Sequence, residues 1–108
     1  MKHRFSINEN AKNSLFPIYH GVILPGAVQA LMGAGQTAFD FLTRHQQGDW
    51  GEGLDDAEWR RNDEAAAQGF PVLSGFYLHS GTLLFVYTFA DRSKTVLFVE
   101  GEDPHSAP

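Results

Sequence analysis

The stretch Val72-Leu73-Ser74-Gly75-Phe76-Tyr77-Leu78-His79-Ser80-Gly81-Thr82-Leu83-Leu84-Phe85-Val86-Tyr87-Thr88-Phe89 decides the fold. It is dense in β-branched and aromatic residues, and turn formers interrupt it at Ser80-Gly81. Residues 72–79 and 82–89 therefore read as antiparallel strands joined by a two-residue hairpin loop. That register sets His79 against Thr82, Leu78 against Leu83, Phe76 against Phe85 and Ser74 against Tyr87. Ala90-Asp91-Arg92-Ser93 is the next connection. Residues 94–100 then give a third strand, with Val96 and Phe98 on the face of Phe76 and Phe85. An antiparallel meander results.

Immediately upstream, Asp55 and Glu58 have the spacing of a capping box, and Leu54 with Trp59 supplies the matching hydrophobic staple. Gly69 ends that helix and Pro71 prevents its resumption. Further back, Pro25 suits a first helical turn. Val28, Leu31, Met32, Gly35, Ala38, Phe39 and Leu42 continue at helical spacing to about residue 46. This predicts one helix, with Gly33 and Gly35 each costing about 1 kcal/mol relative to Ala. Residues 15–24 read as a strand and residues 4–7 as a further short one. The fold class is α+β: one strand, two helices, then a three-stranded antiparallel meander forming a single sheet. Residues 1–101 make one domain, and residues 102–108 are expected to be a disordered acidic tail.

The chain has 108 residues, no Cys and a formal charge of −5. Absent thiols suit a reducing cytoplasm, and no apolar run approaches a membrane span or a signal peptide. Asp49, Glu52, Asp55, Asp56, Glu58, Asp63 and Glu64 hold seven of the thirteen acidic residues. Such clustering opposes phosphate-backbone binding and favours a basic protein surface as partner. The His residues have no ligand spacing, so no metal is expected, and no cofactor motif is present.

Two polar strings hold the candidate chemistry, Arg44-His45-Gln46-Gln47-Gly48-Asp49-Trp50-Gly51 and Ala90-Asp91-Arg92-Ser93-Lys94-Thr95. His45 and Asp49 are an acid–base candidate, with Arg92 and Ser93 as a conceivable anion reader and hydroxyl. The alternative is a structural lock, in which Asp91 or Arg92 lies against the Asp49-Trp50 loop. Separately, Tyr77, Leu84, Val86, Leu97 and Val99 fall on a second sheet face that is unusually apolar. Residues 1–24, a helix or another protein chain must cover it. With Glu52, Asp55 and Asp56 these residues form the predicted partner-binding set.

Pro25-Gly26-Ala27, the His-x-x-Gly-Asp-Trp-Gly string at 45–51, Asn62-Asp63-Glu64-Ala65, Val72-Leu73-Ser74 and Ala90-Asp91-Arg92-Ser93 with Thr95 carry a resemblance. The chain resembles a family of small uncharacterised proteins of bacterial plasmids and integrative elements, from about residue 16 to 97. It departs at Phe89, where the family tends to have Glu, and at Phe98-Val99-Glu100-Gly101-Glu102, where the family tends to have Leu-Pro-Glu-Glu-Tyr. The resemblance implies a mobile-element setting. Three function classes follow. One is a non-enzymatic accessory protein that binds a host protein complex, such as an anti-CRISPR or anti-restriction inhibitor. The others are a small ribonuclease toxin using His45, Arg92, Ser93 and Thr95, and a homodimeric structural module.

Overall fold

In the computed structural model, which describes residues 14–108, the order is β1 (Gly21–Ile23), α1 (Pro25–Ala34), α2 (Ala38–Gln46), α3 (Asp56–Gln68), β2 (Val72–Tyr77), β3 (Leu83–Thr88) and β4 (Thr95–Val99). The fold is α+β, with β2, β3 and β4 in an antiparallel meander. The sheet has a fourth strand, because β1 joins β4 in parallel and the order becomes β1-β4-β3-β2. The strand expected at residues 4–7 lies outside the described residues. Of the strand expected at 15–24, only Gly21–Ile23 is paired. Earlier, Phe16 is buried in the core beside Trp50.

The helix expected across residues 25–46 is two helices. Gly35 takes φ +67°, and its N–H reaches the carbonyls of Leu31 and Met32, ending α1. Asp40 then accepts from the Thr37 N–H at 3.2 Å, the carboxylate half of a capping box, and starts α2. Apolar periodicity runs through the break because both helices pack on the same sheet face. In α3 the sequence reading holds. Asp55 accepts from the Glu58 N–H and Glu58 from the Asp55 N–H, both at 2.8 Å, and Gly69 closes the helix.

The hairpin differs from expectation by one residue. Leu78 N–H donates to the Thr82 carbonyl, and Gly81 N–H to the Leu78 carbonyl, each at 2.8 Å. The loop is therefore His79-Ser80-Gly81, with Gly81 at φ +94° supplying the bulge conformation that three-residue hairpins use. Phe76 consequently faces Leu84, and Gly75 faces Phe85. A one-residue slip exchanges faces along a whole strand. Leu84, Val86 and Leu97, expected to bind a partner, are fully buried under α1 and α2 with Ala27, Leu31, Phe41 and Phe76. Val99 packs against the same cluster, whereas Tyr77 is half exposed on the opposite side of the sheet. An intrachain helix layer thus covers the face read as a protein-binding patch.

The last residues are also folded. Glu102 accepts from Gly26 N–H at 2.7 Å, capping the start of α1, and from Val99 N–H at 3.0 Å. Pro104–Ser106 forms a 3₁₀ turn, and Ala107 is buried against Leu24 and Val96. Lys94 Nζ donates to the carbonyls of Ala107 and Pro108. The disordered tail expected at 102–108 is therefore a strap across the other sheet face. Acidic composition concealed it, because Glu102 is a helix cap and Ala107 an apolar plug.

Candidate functional site

The first polar string begins at the end of α2. Arg44 Nε bonds Asp49 Oδ2 at 2.7 Å, a second guanidinium nitrogen reaches Glu52 at 3.3 Å, and the group lies 4.6 Å over the Phe76 ring. The bond to Asp49 raises the Arg44 pKa further above its ordinary value. Gly51 N–H donates back to Asp49, so the carboxylate holds its own turn. Trp50 inserts fully into the core and donates to Asp63 Oδ1 at 2.9 Å. Asp49 is thus a partner of Arg44 on the surface, and His45 next to Arg44 points inward.

His45 is wholly buried. Its Nδ1 bonds Ser74 Oγ, its Nε2 bonds Thr88 Oγ1 at 2.8 Å, and Thr88 bonds Thr95 at 2.8 Å. Phe16 and Trp50 pack edge-on against the imidazole. Burial, reinforced by the positive Arg92, lowers its pKa to about 3. A hydroxyl against an imidazole has the form of a nucleophile and base. Here both Ser74 and His45 have no exposed surface, so the pair is closed to any substrate. It is a polar tie through the core, joining α2 to β2 and β3, with Thr95 extending it to β4. Among the described residues no buried side-chain polar atom lacks a partner.

The second string makes a different connection from the one expected. Arg92 has φ +62° and sends its guanidinium to the carbonyls of Phe70 (2.7 Å), Ala65 (3.2 Å), Ala66 and Phe89. These include the carbonyls of Ala65 and Ala66 in the last turn of α3, where the helix dipole also favours a cation. Partial burial lowers the Arg92 pKa. The lock between Arg92 and the Asp49-Trp50 loop is therefore replaced by a clamp on α3. The remaining link is indirect, because Arg92 lies 5.1 Å over Phe16, which stacks on Trp50. Asp91 accepts from Ser93 N–H within the turn, and the Ser93 hydroxyl first and this N–H second hold its pKa below the ordinary value. His45, Asp49, Arg92 and Ser93 accordingly face four different environments and do not converge. Replacing Arg92 with Ala should lower stability by about 1.5–3 kcal/mol, the usual worth of charge-assisted hydrogen bonds, in urea unfolding followed by circular dichroism.

What the structure does assemble is a cleft. Asp49, Glu52, Leu54, Asp56, Trp59 and Asp63 line it with Gly51 and Arg60, as a wide-mouthed hollow of about 510 Å³. Trp59 is fixed there by its indole donating to the Gly51 carbonyl at 2.8 Å. Of the predicted partner set, Glu52 and Asp56 line this cleft, while Asp55 serves as the α3 cap. Trp59, Arg60 and Asp63 join the site in the structure without a motif to mark them. Their signal is helical spacing, since positions 56, 59, 60 and 63 share one face of α3.

The same segment closes the outer edge of β2. Asn62 bonds both the N–H and the carbonyl of Leu73, at 3.2 and 2.6 Å. Trp50 carbonyl and Gly53 N–H take the Gly75 pair, and Glu52 accepts from Tyr77 N–H at 3.0 Å. Among the described residues no group of His, Asp and Glu is arranged to hold a metal, and no helix is long and apolar enough to cross a membrane. No family model, curated protein or solved structure matches this chain. Geometry and sequence pattern carry the functional reading.

Proposed function

We propose that this is a non-enzymatic accessory protein of a mobile element that binds a host protein, with the acidic cleft of α3 as its docking site. The observation that carries this reading is the grouping of Asp49, Glu52, Asp56 and Asp63 around Trp59 in an open, outward-facing concavity. Carboxylates there attract a basic partner surface and disfavour a polyanion. The indole offers apolar area and a π-face for a Lys or Arg side chain. A cytoplasmic inhibitor of a defence complex, of the anti-CRISPR or anti-restriction kind, fits this acidity and the mobile-element resemblance. A ribonuclease role has less support, because His45 and Thr95 lie inside the core.

The test is isolation of the tagged protein from its native host, with identification of what co-purifies. A bound protein should fall at least about tenfold when Asp56 is changed to Lys, and should weaken with added salt. Asp56 is exposed in the first turn of α3, so reversing its charge should cost the fold only about 1 kcal/mol. Retention of the same partner by folded Asp56→Lys protein would remove the cleft from the interaction.

A further inference from the structure

Charge is absent from one continuous part of this chain. Between Lys12 and Asp40 the sequence has no Asp, Glu, Lys or Arg. This part builds β1, α1 and the start of α2. It also holds Leu15, Tyr19, Ile23, Val28, Met32 and Phe39, which are six of the eight large hydrophobic residues exposed among the described ones. Tyr19 is 77 % exposed and Ile23 40 %.

The open edge of the sheet lies in this same part. Thr95 N–H bonds the His20 carbonyl, and Leu24 N–H bonds the Leu97 carbonyl. Alternation along β1 therefore turns the N–H and C=O groups of Gly21 and Ile23 away from β4. Among the described residues nothing bonds them, in contrast to the sealed edge of β2.

We propose that β1 pairs antiparallel with β1 of a second copy of this chain, joining two four-stranded sheets into one of eight strands. Three observations select a second copy as the occupant. First, with the β2 edge closed by Asn62, Trp50, Gly53 and Glu52, copies can meet edge to edge only through β1. Such a contact is two-fold and ends with the dimer. Second, a chain of net charge −5 repels its own copies, and least across a surface built from an uncharged stretch. Third, pairing centred on Gly21 sets Tyr19 opposite Ile23 of the second copy on both sides of the axis. Exposed apolar side chains then flank the new hydrogen bonds, as a lasting interface requires. This surface is separate from the cleft, and the inference does not depend on it.

Sedimentation velocity of the full chain across about 1–500 µM tests the proposal, with hydrogen exchange of the Gly21 and Ile23 amides measured at both ends of that range. A concentration-dependent dimer is expected, with both amides protected at least about tenfold more in the dimer. Ile23→Lys and Tyr19→Lys should each weaken dimerisation at least about tenfold without changing the circular dichroism, while Tyr77→Lys should not weaken it. If Ile23→Lys disturbs folding, the highly exposed Tyr19 still decides the matter. A monomer throughout the range overturns the proposal, whether or not those amides are protected. So does a dimer indifferent to Tyr19→Lys, or one equally weakened by Tyr77→Lys.

Discussion

Lowering the pH from 6.5 to 4 should cost this protein about 3 kcal/mol of stability through His45 alone, at about 1.4 kcal/mol per pH unit. The imidazole is neutral in the core, with a pKa of about 3. In the unfolded chain it is free to take a proton near pH 6.5. Protonation thus favours the unfolded state, so the stabilisation is complete above pH 6.5 and is lost progressively as the pH falls toward 3. Against a total of about 5–15 kcal/mol for a domain, this is a large share. Urea unfolding at half-unit pH steps measures it directly. His45→Gln, which retains hydrogen-bonding capacity without the titration, should have a flatter profile between pH 6.5 and 4. Equal slopes in the two proteins would place the acid sensitivity elsewhere.

Gly51→Ala should be the most damaging small substitution in the chain, costing about 3 kcal/mol or more and lowering Tm by roughly 12 °C or more. Gly51 adopts φ +90°, and a Cβ there would sit 2.0 Å from the Gly75 carbonyl oxygen. No rotamer change relieves a clash with backbone. The 50–53 segment would have to move away from β2, breaking the Trp50–Gly75 and Gly53–Gly75 hydrogen bonds. The exposed edge would then be open to pairing, so aggregation on heating should accompany the loss. Gly33→Ala provides the contrast. It lies within α1 with nothing near its missing Cβ, and the exchange should stabilise by up to about 1 kcal/mol. Thermal melts of the two variants beside the parent check both expectations.

The α3 cap is local, four residues long and written in side chains, so Asp55 and Glu58 reveal it. Gly35 is harder. Its neighbours keep helical periodicity, and only the Thr37–Asp40 spacing marks a new helix start. The hairpin turns on one residue, because Ser80-Gly81 suits a two-residue loop and His79-Ser80-Gly81 a three-residue one. That choice reassigned Leu84, Val86 and Leu97 from an interface to the core. His45 was visible as a special residue, but Ser74 and Thr88 were not its evident partners. They come from strands far along the chain, and the correct register is needed to place them on its side of the sheet. Arg92 ties the Ala90–Ser93 turn to α3 and not to the Asp49-Trp50 loop that its sequence suggests. Its target, a set of main-chain carbonyls, leaves no trace in residue identity.

The parallel pairing of β1 with β4 has a consequence for how the protein is made. Gly21 meets Thr95, so the strand near the beginning of the described chain waits for one close to its end. A ribosome releases the apolar, uncharged stretch between Lys12 and Asp40 long before its place in the sheet exists. The hairpin of β2 and β3 can form locally, and β4 can add to it, but β1 must close a loop across nearly all of the intervening sequence. Until then Leu24, Ala27 and Leu31 have no sheet to cover. Newly synthesised chains therefore pass through a period of exposure in which they can stick to one another or be held by a chaperone. The last strand to emerge ends that period by giving the first one its place.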